Sequence, residues 1–212
     1  MQLSPSVCIE RTHSGLEFIS INSRQCKAKI FLQGGQITEF TPKGKLPLLW
    51  VSGDETFSEG KSIRGGIPIC WPWFGQHENS DFPAHGFART HVWQADEVHE
   101  TDSEVTVSLK LPMKQIDSTF WPHQSSLRVE FILSEQLEVR LTTCNLGNTP
   151  FSYTQALHTY FPTDDINNTQ PTIDQETSVV GVENIYHRNG MVTWEVNSKG
   201  EVNNVHIRKH KA

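Results

Sequence analysis

Apolar residues recur at every second position in three runs: Val105, Val107, Leu109 and Leu111; Leu127, Val129, Phe131 and Leu133; Leu137, Val139 and Leu141. Successive side chains of a strand point to opposite faces, so this spacing builds a sheet with one apolar and one wet face, not an amphipathic helix. Only Ser134-Glu135-Gln136 separates the second run from the third, which predicts a hairpin. Leu16 to Ile21, Ala28 to Leu32, Gln36 to Phe40 and Leu48 to Val51 read as further strands, punctuated by Gly34-Gly35 and by the turn Pro42 to Lys45. Met191 to Val196 and Val205 to Ile207 flank Asn197 to Gly200 and predict another hairpin. No stretch of ten residues carries a 3.6-residue period. Many short strands with frequent turns specify an antiparallel β-sandwich or barrel, and residues 1–212 fit one such domain.

Composition narrows the function classes. The net charge is −6, and basic residues cluster only in the tail Arg208 to Lys211. Nucleic acid and anionic membranes are therefore poor partners. The N-terminal residues lack an apolar signal core, and no apolar run reaches the roughly 20 residues of a membrane helix. Cys8, Cys26, Cys70 and Cys144 form no CxxC pair and read as thiols in a reducing compartment, so the expected location is the cytoplasm.

Two segments break the alternation, Lys61 to Trp93 and Gln155 to Asn168, and both are rich in Gly, Pro, aromatics and His. Irregular segments on a rigid β scaffold are where chemistry tends to sit. Arg64 precedes Gly65-Gly66, a pairing of guanidinium fork and permissive backbone that suits a phosphate or carboxylate; an ordinary surface arginine at a tight turn is the equal alternative. Trp71, Trp73 and Phe74 offer flat faces for a sugar ring, although core packing accounts better for at least two of them. Arg89 supplies a second guanidinium, and two arginines on one site favour a dianion. His85 lies in a constrained Ala-His-Gly turn, and His158 ends a strand pattern with a group able to act as a general acid. His77, His85, His91 and His158 lack metal-ligand spacing, so no metal and no cofactor are expected.

The stretches IRGGIPICWPWFG, PAHGFART and ALHTYF, with LQGGQITEFTPKG, LLWVS, FWPH and TTCNLGN, resemble the hexose-6-phosphate mutarotases, the glucose-6-phosphate 1-epimerase branch of the aldose epimerase superfamily. The resemblance runs from about Leu16 to Ile166. It implies a galactose-mutarotase-like antiparallel β-sandwich, no cofactor, and interconversion of the α and β anomers of a hexose 6-phosphate by a monomer or homodimer. It further implies that His158 protonates the ring oxygen, that Arg64 and Arg89 hold the phosphate, and that His85 and Trp73 contact the sugar. Ala84 stands where the family often has glutamine.

Beyond Ile166 the family's GL…Y.DK segment, its W-N-P-W stretch and the glutamate that serves as base have no counterpart. The resemblance thus implies a sandwich shortened on its C-terminal side, with the base unassigned among Asp165, Glu176 and Glu183. Two other readings stay open: a sugar-phosphate-binding sandwich without turnover, and a cupin-like metalloprotein that uses the histidines.

Overall fold

The computed structural model describes residues 4–162, together with the backbone of five short strands beyond them. Four strands, β1 (Val7–Arg11), β2 (Glu17–Asn22), β3 (Cys26–Phe31) and β4 (Gln36–Pro42), form an antiparallel meander in that order. After the short strand β5 (Ile69–Cys70), a second antiparallel meander follows: β6 (Gln94–Glu100), β7 (Val105–Lys110), β8 (Ser125–Leu133) and β9 (Leu137–Asn145). Strand β10 (Ala156–Leu157) pairs back onto β5. No α-helix occurs among the described residues, and none of them forms a helix long and apolar enough to cross a membrane.

The period-two pattern becomes the core. Ile19, Ile21, Ala28, Ile30, Ile37 and Phe40 from the first sheet meet Val105, Val107, Leu109, Leu127, Val129, Phe131 and Leu133 from the second in one buried cluster. Alternation along β8 is complete, with five buried residues separated by four half-buried ones. The hairpin at Ser134 to Gln136 closes with Leu133 opposite Leu137 and the Ser134 N–H donating to Gln136 O at 2.9 Å. The expected sandwich of antiparallel sheets is therefore the fold that these residues adopt.

Three elements differ from the sequence reading. Leu48 to Val51 is not a strand. The Trp50 N–H donates to Tyr160 O and Trp50 O accepts from Gly66, so its bonds leave in two directions and only the single bridge Val51 to Gly65 survives. Strands β1 and β6 were not legible because both are edges, where most side chains face water and the apolar alternation is lost. Beyond residue 162, β11 (Thr172–Ile173) pairs with β14 (Gly190–Met191), while β12 (Thr177–Val180) lies between β13 (Ile185–His187) and β15 (Val205–Arg208). The hairpin expected between Met191 to Val196 and Val205 to Ile207 falls largely on residues 192–204, which lie outside the described residues.

Phe131 stands 1% exposed at the centre of the cluster, on a central strand. Truncation there leaves a cavity between two sheets that cannot close on each other. Phe131→Ala is expected to lower unfolding free energy by about 3–5 kcal/mol. Denaturant titration checks this, and a loss below about 1 kcal/mol would contradict a shared core.

Candidate active site

The two irregular segments meet edge to edge. Outside the β5–β10 pair the contact continues through backbone bonds: Thr154 N–H to Pro72 O at 3.0 Å, His158 N–H to Pro68 O at 3.0 Å and Tyr160 N–H to Gly66 O at 2.9 Å. His158 and Tyr160 are two apart on this extended stretch and so share a side, with ring centroids 4.9 Å apart.

The loop after β5 brings His85 to the same place. His85 has φ 64°, and its N–H donates to Gly75 O at 2.7 Å while its Nδ1 accepts the Gly75 N–H at 3.2 Å. An accepting Nδ1 puts the ring proton of neutral His85 on Nε2. Gly86 follows with φ 73°, and a Cβ there would lie 2.0 Å from Trp71 O, so only glycine lets the loop pass this close. The His85 and His158 rings are 6.4 Å apart, and Phe74 lies against both, at 4.8 Å and 6.4 Å. Arg89 sits in a 3₁₀ turn, Ala88–Thr90, and one terminal nitrogen donates to Ala84 O at 2.8 Å. Arg89 Nε and His158 Nδ1 are buried with no hydrogen-bond partner among the described residues.

Charge and burial act together here. Burial, and after it the positive field of Arg89 and of the neighbouring His158, together push the His85 pKa down from 6.5 to about 4. Burial likewise lowers His158, with Arg89 acting in the same direction. Burial raises the Cys70 thiol to about 11 despite Arg89. Burial also raises the Tyr160 phenol, as does Cys70, whereas Arg64 and Arg89 both pull it down.

Arg64 lies in an exposed position on the loop between β4 and β5, and its N–H donates to Glu55 Oε2 at 2.6 Å. Trp73, singled out as a sugar contact, directs its indole N–H to Pro83 O at 2.8 Å and packs with His77, Phe82 and Phe87. Of the three aromatics singled out in this segment, Trp71 is fully buried and Trp73 packs against the core's edge, leaving Phe74 as the ring beside the two histidines. His91 is also turned elsewhere, with Nδ1 2.8 Å from Phe87 O. No group of three metal-ligating side chains occurs among the described residues. Asp165, Glu176 and Glu183 lie outside them.

Sequence reasoning did not single out Tyr160, Cys70 or Glu55. The signal for Tyr160 was its place two residues after His158, on the same side of an extended strand. Cys70 reads as one more buried thiol, and Glu55 lies in a polar loop without periodicity.

The family model for aldose 1-epimerase matches residues 17–196. A protein from Escherichia coli (strain K12) named "Putative glucose-6-phosphate 1-epimerase" is 37% identical over 165 residues, which cover 78% of this chain and 54% of that protein. The crystal structure of a "putative mutarotase" from Salmonella typhimurium superposes with a TM-score of 0.73 at 30% identity, covering 91% of this chain and 63% of that one. A galactose mutarotase-like protein from Lactobacillus casei ATCC 334 shares the fold, with a TM-score of 0.57 at 22% identity over 90% of this chain and 67% of that one. The chain spans about half the length of the curated relatives it matches, 54% and 55%.

Histidine NMR titration tests the electrostatics of the site. Both rings should be neutral at pH 7, with the His85 midpoint near 4 and that of His158 below 6.5. The unfolded chain takes up these protons near pH 6.5, whereas folded His85 resists them until about 4. Stability therefore rises with pH across that window and is lost as pH falls through it. Midpoints at or above 6.5 for both rings would contradict the burial of the pair.

Proposed function

Since the chain belongs to the aldose 1-epimerase family, we propose that it interconverts the α and β anomers of a hexose 6-phosphate, glucose 6-phosphate foremost. The observation that carries this reading is the cluster of half-buried His85 and His158, rings 6.4 Å apart, with Phe74 against both and Arg89 bonded to Ala84 O next to His85; Arg64 is proposed as the second cation. Two guanidinium groups suit a phosphate dianion, which accepts charge-assisted bonds from both. An acid next to them suits the sugar ring carried on that phosphate.

Anomer exchange requires a proton delivered to the ring oxygen and another removed from the O1 hydroxyl. The C1–O5 bond then breaks to give the aldehyde, C1 rotates, and the ring closes on its other face with the protons returned. His158 is the proposed donor to O5. In the free protein, burial and Arg89 disfavour its protonated form. A phosphate dianion at Arg89 cancels part of that positive field and raises the His158 pKa, so substrate binding itself prepares the acid. His85, with Nδ1 engaged by Gly75, offers its Nε2–H to a sugar hydroxyl. Phe74 supplies an apolar face at the same spot, and Trp73 holds the His85 loop through Pro83. The base at O1 is assigned to none of the described carboxylates.

Exchange-NMR or polarimetry with glucose 6-phosphate tests the reading. The protein should accelerate anomer exchange. His158→Ala should lower kcat about 10²–10⁴-fold, the usual worth of a general acid. Arg64→Ala should instead raise KM, by about tenfold to a hundredfold, as expected for losing bonds to a charged group. Equal rates with and without protein would remove the catalytic reading. A melting-temperature shift on glucose 6-phosphate, lost in Arg64→Ala, would then mark a sugar-phosphate-binding protein without turnover.

A further inference from the structure

Arg64 is carried by a loop with little secondary structure, yet a phosphate site needs its guanidinium at a fixed place. The backbone on both sides of it is held by side chains from elsewhere. Gln36 is fully buried on β4, and its amide Nε2 donates to Ile63 O at 3.3 Å and to Gly65 O, the carbonyls immediately before and after Arg64. Glu55 accepts the Arg64 N–H through one carboxylate oxygen at 2.6 Å and the Phe57 N–H through the other at 2.7 Å. Phe57 has φ 49° and stacks on Phe31 with centroids 5.0 Å apart, so this carboxylate closes a strained turn against the sheet. Two side chains thus fix one backbone group on each of the three residues Ile63, Arg64 and Gly65.

We infer that Gln36 and Glu55 are positioning residues for Arg64, setting phosphate affinity without touching substrate. This rests on the reading of Arg64 as a phosphate ligand. Gln36 is 0% exposed, so its effect must pass through the loop backbone. The first glutamine of the same LQGGQ stretch, Gln33, holds the loop further out, through Ser58 O, Lys61 O and the Gly60 N–H. Gln36 alone reaches the residues flanking Arg64.

Two variants and two readouts test the inference: Gln36→Leu, which removes both donors at similar volume, and Glu55→Gln, which keeps the half-buried side chain's shape but leaves one oxygen fewer to accept. In the first readout, amide hydrogen exchange, protection at Arg64 and Gly66 should fall at least about tenfold while residues 127–133 on β8 keep theirs. In the second, KM for glucose 6-phosphate should rise about tenfold with kcat within about threefold, while kcat/KM for unphosphorylated glucose stays within about twofold. A role in folding alone would scale kcat with the folded fraction and treat both sugars alike. Unchanged exchange at Arg64 and Gly66 in both variants would overturn the inference. So would faster exchange with an unchanged KM for the phosphate ester, or equal losses with the two sugars. If wild-type protein moves no anomer and binds no glucose 6-phosphate, the reading under Proposed function fails instead, and exchange alone decides whether the two side chains hold the loop.

Discussion

A buried carbonyl must find a donor, and several carbonyls of the loops that carry Arg64 and Arg89 find theirs in one five-residue segment. Leu32 to Gln36 lies between them. On one side Gly34 N–H donates to His91 O at 2.7 Å and Leu32 O accepts the Trp93 N–H at 2.7 Å, which seats the loop of Arg89 and His85 by main-chain bonds. On the other side the amides of Gln33 and Gln36 satisfy the loop of Arg64. The glycines between them let the backbones close. A Cβ on Gly34 would stand 2.9 Å from Arg89 O, and one on Gly35 would stand 2.5 Å from the Trp93 indole. Loss of the Gln36 amide would strand the carbonyls of buried Ile63 and Gly65, at about 1–3 kcal/mol each, so the seating of the Arg64 loop depends on a side chain of β4.

The sandwich beneath supplies rigidity and little else. Its two meanders share a core of branched and aromatic side chains, and every group proposed to meet a ligand stands on the segment between them or on the one that follows β9. This division explains the titration behaviour. Arg89 has its guanidinium partly buried, with Nε unpartnered among the described residues, so its field is poorly screened and acts on Cys70, His85, His158 and Tyr160 together. Burial first and this field second disfavour the protonated form of both histidines, and a dianion at Arg89 would relieve the second. Affinity for the phosphate and readiness of the acid are then one electrostatic quantity.

What could be read in the sequence follows from where side chains point. Strands with one buried face, such as β7 and β8, show themselves by alternation, and the residues of the site announced themselves as Gly, Pro, His and Arg clustered where alternation stops. Edge strands β1 and β6 stayed hidden because water covers most of their side chains. Trp50 looked like part of a strand and is instead a junction, bonded to Tyr160 and Gly66 at once, a long-range fact that no local pattern encodes. The glutamines of LQGGQ looked like ordinary strand polarity. Their burial, at 2% and 0% exposure, marks them as structural donors only once the loop above them is seen.

The central claim is that Arg64 and Arg89 form one phosphate site with His158 beside the sugar ring. A crystal structure of the protein with glucose 6-phosphate tests it most directly. Phosphate oxygens should lie within ion-pair distance of both guanidinium groups, and the ring oxygen within hydrogen-bond distance of His158. A phosphate bound away from either arginine, or a sugar ring whose oxygen faces away from His158, would contradict it.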